Sequence, residues 1–131
     1  MCIMNIELAT GAADPSLSFL NCEKYEDNSG FGATISVCSS GFSARVFCGI
    51  DAWALEQFII MLDECNSTLT GKAKLEPQFD HWFIELEVCT NGHVVVSGKL
   101  YQSTQELSFE FQTDQTCLSA LLYDLKSLSS S

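Results

Sequence analysis

From Trp82 to Leu128 the chain reads WFIELEVCTNGHVVVSGKLYQSTQELSFEFQTDQTCLSALLYDLKSL, three alternating runs that pass straight into a helical stripe. Ile84, Leu86 and Val88 share one side of the first run, Val94, Val96 and Leu100 one side of the second, and Leu107, Phe109 and Phe111 one side of the third. Side chains alternate along a strand, so these residues line a single apolar face. The opposite face then carries Glu85, Glu87, Lys99, Tyr101, Glu106 and Glu110. A chain so patterned is confined to an antiparallel meander with one buried and one solvated side. Asn91-Gly92 supplies the tight turn, because both residues tolerate positive φ.

Upstream, the same reading places strands over Ile3–Leu8, Leu17–Tyr25, Phe31–Cys38 and Phe42–Cys48, with turns at Thr10–Ser16, at EDNSG and at Ser39-Ser40-Gly41. The period then changes. Leu55, Phe58, Ile59, Leu62 and Cys65 recur at three- and four-residue spacing behind Asp51, a good N-cap, so Asp51–Asn66 reads as a helix closed at Asn66. Gly71 introduces a strand over Lys72–Glu76 that Pro77 ends. Thr113 or Asp114 caps the closing helix, whose stripe is Leu118, Leu121, Leu122, Leu125 and Leu128; Ser129–Ser131 are expected to fray. The expected class is α+β: a curved antiparallel sheet of about 6–8 strands with two helices packed on one face. Residues 1–131 make one domain, with no βαβ alternation and no evident internal repeat.

Hydrophobic residues make up 47% and charged residues 18%, which excludes a disordered chain. No run approaches the ~20 apolar residues of a membrane helix. The start, MCIMNIELATGAAD, lacks the basic n-region and unbroken apolar run of a signal peptide, so a cytoplasmic location is expected. Seven cysteines (Cys2, Cys22, Cys38, Cys48, Cys65, Cys89, Cys117) show no C-x2-C pair, and Cys89 with His93 is not joined by a second pair. They read as reduced, buried thiols, with no metal and no cofactor expected.

Net charge is −11, from 17 acidic and 6 basic residues. Phosphate binding draws on clustered Lys and Arg, so nucleic acid and anionic membranes are poor partners for this chain. A basic protein is a better one, since complementary potentials raise encounter rates and set specificity. On charge alone, plain solubility is the better explanation.

Catalysis finds little support. His81 and His93 sit at turn ends, and nothing pairs either with one particular thiol. Glu85 and Glu87 lie about 7 Å apart on one strand face, a spacing that any charged solvent face produces. No phosphate-binding glycine motif opens a helix. Trp53 and Trp82 are read as partly buried core. The Glu85, Glu87, Glu106 and Glu110 face is distinctive in having only Lys99 to offset it within the meander.

From about Phe42 to Leu128 the chain resembles the WapI-type immunity proteins. The resemblance rests on the Asp51 helix with Leu55, Phe58 and Leu62, on Leu69-Thr70-Gly71-Lys72-Ala73-Lys74-Leu75, and on Gly92-His93-Val94-Val95-Val96-Ser97-Gly98. Its most specific part is Leu107–Thr116, LSFEFQTDQT, which ties a strand end to a helix cap. Cys117 departs from the family, where a Tyr is expected. The resemblance implies a cytoplasmic, non-enzymatic antidote, encoded beside a contact-delivered bacterial toxin, that binds one cognate toxin C-terminal domain. It further implies a 1:1 complex with a basic nuclease such as a tRNase, whose active-site groove it blocks, the antidote itself being monomer or dimer. Asp114-Gln115 reads as structural. The expected toxin-binding residues are Glu85, Glu87, Glu106 and Glu110 with Asp80, followed by Asp63, Glu64 and the Glu26-Asp27 loop. An acidic adaptor or chaperone, or a small ligand-binding or enzymatic domain using His81 or His93, are the alternatives.

Overall fold

Alternating segments become strands and the three-and-four stripes become helices. In the computed structural model, which describes Ile3–Ser130, the order is β1 (Met4–Glu7), β2 (Ser16–Lys24), β3 (Gly30–Ser39), β4 (Phe42–Asp51), α1 (Ala52–Thr68), β5 (Gly71–Leu75), β6 (Phe83–Val88), β7 (His93–Gln102), β8 (Gln105–Asp114) and α2 (Cys117–Ser130). The readings of Cys2, Ser131 and the first two residues of the N-terminal segment lie outside the described residues. Ser129 and Ser130, expected to fray, belong to the last turn of α2.

The class is α+β, as expected, but the single curved sheet is in fact two four-stranded antiparallel sheets, β1-β2-β3-β4 and β5-β6-β7-β8. Consecutive strands pair within each sheet, β3–β4 and β7–β8 through two-residue turns, whereas α1, about 25 Å long at 1.5 Å per residue, carries the chain away from β4 before β5 begins. The two helices pack against each other, and α1 also meets β3, β4 and β5 while α2 meets β1. One continuous core results, in which Ile6, Leu17, Ile35 and Val37 of the first sheet, Ile84, Leu86, Val96 and Leu100 of the second, and Leu55, Phe58, Leu62, Leu118 and Leu121 of the helices are all buried.

The two halves repeat one plan. In β3–β4 the register runs from Gly30 opposite Asp51 to Ser39 opposite Phe42, and in β7–β8 from His93 opposite Asp114 to Gln102 opposite Gln105, a constant offset of 63 residues. Both hairpins turn on a serine with positive φ, Ser40 at 52° and Ser103 at 56°. The Ala52 N–H donates to the Ser29 carbonyl at 2.9 Å, and at the same offset Gln115 donates to Gly92 at 3.0 Å. Asp63 and Lys126 are equivalent positions and touch each other, at 3.8 Å, so an approximate twofold axis passes between them. Around it β4 meets β7 and β3 meets β8, as that symmetry requires. The repeat escapes the sequence because, between residues 30 and 66, the identities at this offset are only Ser40/Ser103, Asp51/Asp114, Leu55/Leu118 and Leu62/Leu125.

The Asp51 cap is formed as expected, its Oδ2 accepting from the Ala54 N–H at 3.0 Å. The end of α1 falls later than Asn66. Leu69 takes the left-handed conformation (φ 56°) and donates its N–H to the Cys65 carbonyl at 2.8 Å, which closes the last turn. At the second helix it is Asp114, rather than Thr113, that accepts a backbone N–H, from Thr116 at 2.9 Å.

Candidate functional site

The acidic strand face is assembled as the alternation requires. Glu85 and Glu87 lie half-buried on β6, and Glu106 and Glu110 exposed on β8. Its field, however, is not left uncompensated. β5 pairs with β6 so that Lys74 stands opposite Glu85 and Lys72 opposite Glu87. On the other side Glu85 faces Ser97, Glu87 faces Val95, and Lys99 faces Phe83. Opposite charges therefore occupy facing positions on neighbouring strands, a placement that favours the pairing. With Lys99, three lysines offset part of the charge of five glutamates, Glu76 beside Lys74 included, so this surface stays acidic but less so than its glutamates alone would make it. Lys74 also reaches Glu76 at 3.2 Å and lies 4.6 Å from the centre of the Phe83 ring. The missed signal was the equal spacing: Lys72 and Lys74 are two apart, as are Glu85 and Glu87.

The remaining candidates do not join that face. Asp63 lies on α1 and pairs with Lys126 at 3.8 Å, an exposed contact of small value. Glu64 is exposed on the same helix. Asp80 occupies the β5–β6 loop, and Glu26 and Asp27 the β2–β3 turn. Asp27 accepts the Ser29 hydroxyl at 2.6 Å and the Ser29 N–H at 3.0 Å, which hold its carboxyl below the usual value.

These two loops meet at Asp51. One carboxylate oxygen accepts from Ala54 in the first turn of α1, and the other accepts the Gln78 N–H at 2.9 Å. Ala52 donates to Ser29, so the β2–β3 turn is held at the same place. Aromatic rings project nearby. Phe79 is 91% exposed and Trp53 53%, so Trp53 is not the partly buried core residue expected of it. On the outer face of the first sheet Phe47 is 67% exposed and Tyr25 39%. A Cβ added at Gly32 would lie 2.9 Å from the Phe47 ring and 3.0 Å from the Tyr25 hydroxyl, so these side chains cover a floor without side chains of its own. Trp82, by contrast, is buried, and among the described residues its indole N–H has no partner. Alternation already placed Phe47 outward with Ser43 and Arg45, but only the register of Gly32 with Gly49 shows the floor beneath Tyr25.

The two histidines and the thiols weighed for catalysis stand apart among the described residues. His81 precedes β6 and His93 follows its far end, so a strand's length of roughly 20 Å separates them. A surface depression of about 590 Å³ is lined by Asp14, Pro15, Ser39, Ser40, Gly41, Phe111 and Gln112, without a histidine or thiol. No group of three His, Cys, Asp or Glu side chains converges among the described residues. Burial pushes the thiols up, Cys22 and Cys117 to about 11 and Cys48, with Asp80 nearby, to about 12. These thiols stay protonated at neutral pH and are poor nucleophiles and metal ligands. Among the described residues no helix is long and apolar enough to cross a membrane.

Comparison with known proteins places this arrangement. A chain of the Trypanosoma bruciei MRP1/MRP2 crystal structures is similar in fold, with a TM-score of 0.56 at 9% identity over 96% of this chain and 82% of that one. A chain of the CdiA-CT/CdiI toxin and immunity complex from Enterobacter cloacae aligns over 96% of this chain and 99% of its own, at 11% identity and a TM-score of 0.48. No curated protein matches the chain. The sequence itself matches the immunity protein WapI-like family from residue 9 to residue 130, which takes in both sheets and both helices except β1. On that match the protein belongs to the immunity protein WapI-like family.

Proposed function

We propose that the protein is the antidote to one contact-delivered bacterial toxin, which it neutralises by binding the toxin's C-terminal domain one to one in the cytoplasm. The observation that carries this reading is the family match over residues 9–130. The net charge of −11 supports the finer part, that the toxin domain is a basic nuclease such as a tRNase and that the antidote blocks its substrate groove. A groove built for phosphates attracts a carboxylate-rich protein by the same field. Catalysis plays no part in this mode of action, and the protonated thiols and separated histidines agree with that.

The test is titration calorimetry against the toxin domain encoded immediately upstream, at two salt concentrations. A 1:1 complex of nanomolar or tighter affinity that weakens with salt is expected. Absence of binding overturns the antidote reading. Tight binding that salt leaves unchanged overturns the basic-groove part alone.

A further inference from the structure

Four exposed rings stand on segments that Asp51 and its neighbour Ala52 tie together. Phe47 and Tyr25 cover Gly32 and Gly49 on the outer face of the first sheet. Asp51 follows Gly49 on the same face of β4, and its carboxylate fastens the turn that bears Trp53 to the loop that bears Phe79. A ring as exposed as Phe79 adds almost nothing to the core, and grouped exposed apolar side chains mark surfaces that other proteins cover. Glu26, Asp27, Glu56 and Asp80 stand on the same segments, all exposed. Lys24 is near in sequence, but its register partner is the core residue Phe31, so it leaves β2 on the side away from Tyr25.

We propose that this aromatic region, centred on Trp53 and Phe79 and bordered by Glu26, Asp27, Glu56 and Asp80, is the surface that docks the toxin domain. The proposal rests on the antidote reading and names its contact surface. Aromatic anchors at the centre and charges at the rim are the usual division of labour at a protein interface. The carboxylate border selects a basic protein as occupant, since nucleic acid and a second copy of this chain are both repelled by it. The outer face of the second sheet is the competing surface. Its carboxylates are partly offset by Lys72, Lys74 and Lys99, and of its rings only Tyr101 is exposed.

Calorimetry and association kinetics with the upstream toxin domain test this on the full chain, with thermal unfolding of every variant alongside. The double change Trp53→Ala, Phe79→Ala is expected to weaken binding about 100-fold or more, as loss of interface anchors does. Glu56→Lys with Asp80→Lys, at exposed positions, is expected to slow association about tenfold and to flatten its salt dependence. Glu85→Lys with Glu87→Lys is expected to stay within about threefold of the native affinity. Should the aromatic variant fail to fold, the Glu56, Asp80 pair decides. The proposal is overturned if both sets bind like the native chain, or if the loss follows Glu85 and Glu87 instead; the antidote reading survives either result. A native chain that does not bind overturns both.

Discussion

The two halves of the molecule follow one backbone plan and show solvent two different surfaces. At equivalent places β3–β4 and β7–β8 keep the same register, the same serine turn and the same aspartate before a helix. Inward, the halves reach similar volumes by different means. Ile35 opposes Val46 in the first, and in the second Gly98 opposes Phe109, whose ring lies 2.9 Å from where a Gly98 Cβ would stand. Outward they diverge. The first sheet carries glycine, serine and threonine beneath Phe47 and Tyr25, while the second carries lysine against glutamate. Packing constrains the inner faces jointly, because each fills space the other half leaves. Nothing constrains the outer faces in that way, so they are where two copies of one plan can be put to different uses.

The comparison can be broken at its strongest point, the shared core. Phe58 and Leu121 occupy equivalent, fully buried positions. Phe58→Ala is expected to cost about 3–5 kcal/mol and Leu121→Ala about 2–5 kcal/mol, each in a single cooperative urea transition. Separate transitions for the two variants would mean that the halves are independent folding units. Next in size is the exchange of volume. Gly98→Ala drives a methyl group into the Phe83 carbonyl and the Phe109 ring, for about 2–3 kcal/mol. Gly49→Ala, whose Cβ would lie 3.4 Å from the Tyr25 hydroxyl, should change stability by no more than about 0.5 kcal/mol. Equal costs would refute the packing account.

The caps sharpen the comparison further. Asp51 accepts two backbone N–H groups and Asp114 accepts one, so Asp51→Ala should lose about 2 kcal/mol and Asp114→Ala about 1 kcal/mol, read from chemical denaturation. The weakest effect at neutral pH belongs to the cysteines. Cys22 and Cys48 in the first half and Cys117 in the second have folded pKa values raised above the ordinary 9.0, to about 11, 12 and 11. The unfolded chain releases these protons first, so their contribution is intact below pH 9 and is lost as the pH rises towards the folded values. Thermal unfolding between pH 7 and 8.5 should show no cysteine term. Above pH 9 the native chain should lose stability faster than Cys48→Ala does, and iodoacetamide at pH 8 should spare these three thiols until the chain unfolds.

Much of this was legible in advance, for a specific reason. Strands and helices bury one side, and period two or period three-and-four in the apolar residues reports that side directly, as Ile84–Val88 and Leu118–Leu128 show. The Asp51 cap and the Asn-Gly turn were legible because local backbone chemistry demands such residues. The helix end at Leu69 was not, since a leucine in the left-handed conformation is held there by its surroundings rather than chosen by propensity. The charge of the glutamate face was misjudged because its balance depends on which strand lies beside β6, and pairing is a long-range event.

Element order, the apolar sides and the Asp51 cap follow from the sequence alone, because each is decided within a few residues along the chain. The division into two sheets, the twofold relation between halves that share few residues, the lysines set opposite Glu85 and Glu87, and the fastening of the β5–β6 loop to the start of α1 through Asp51 were decided only by tertiary structure. Each requires segments far apart in the chain to share space, and periodicity carries no information about which neighbour a strand or loop will find.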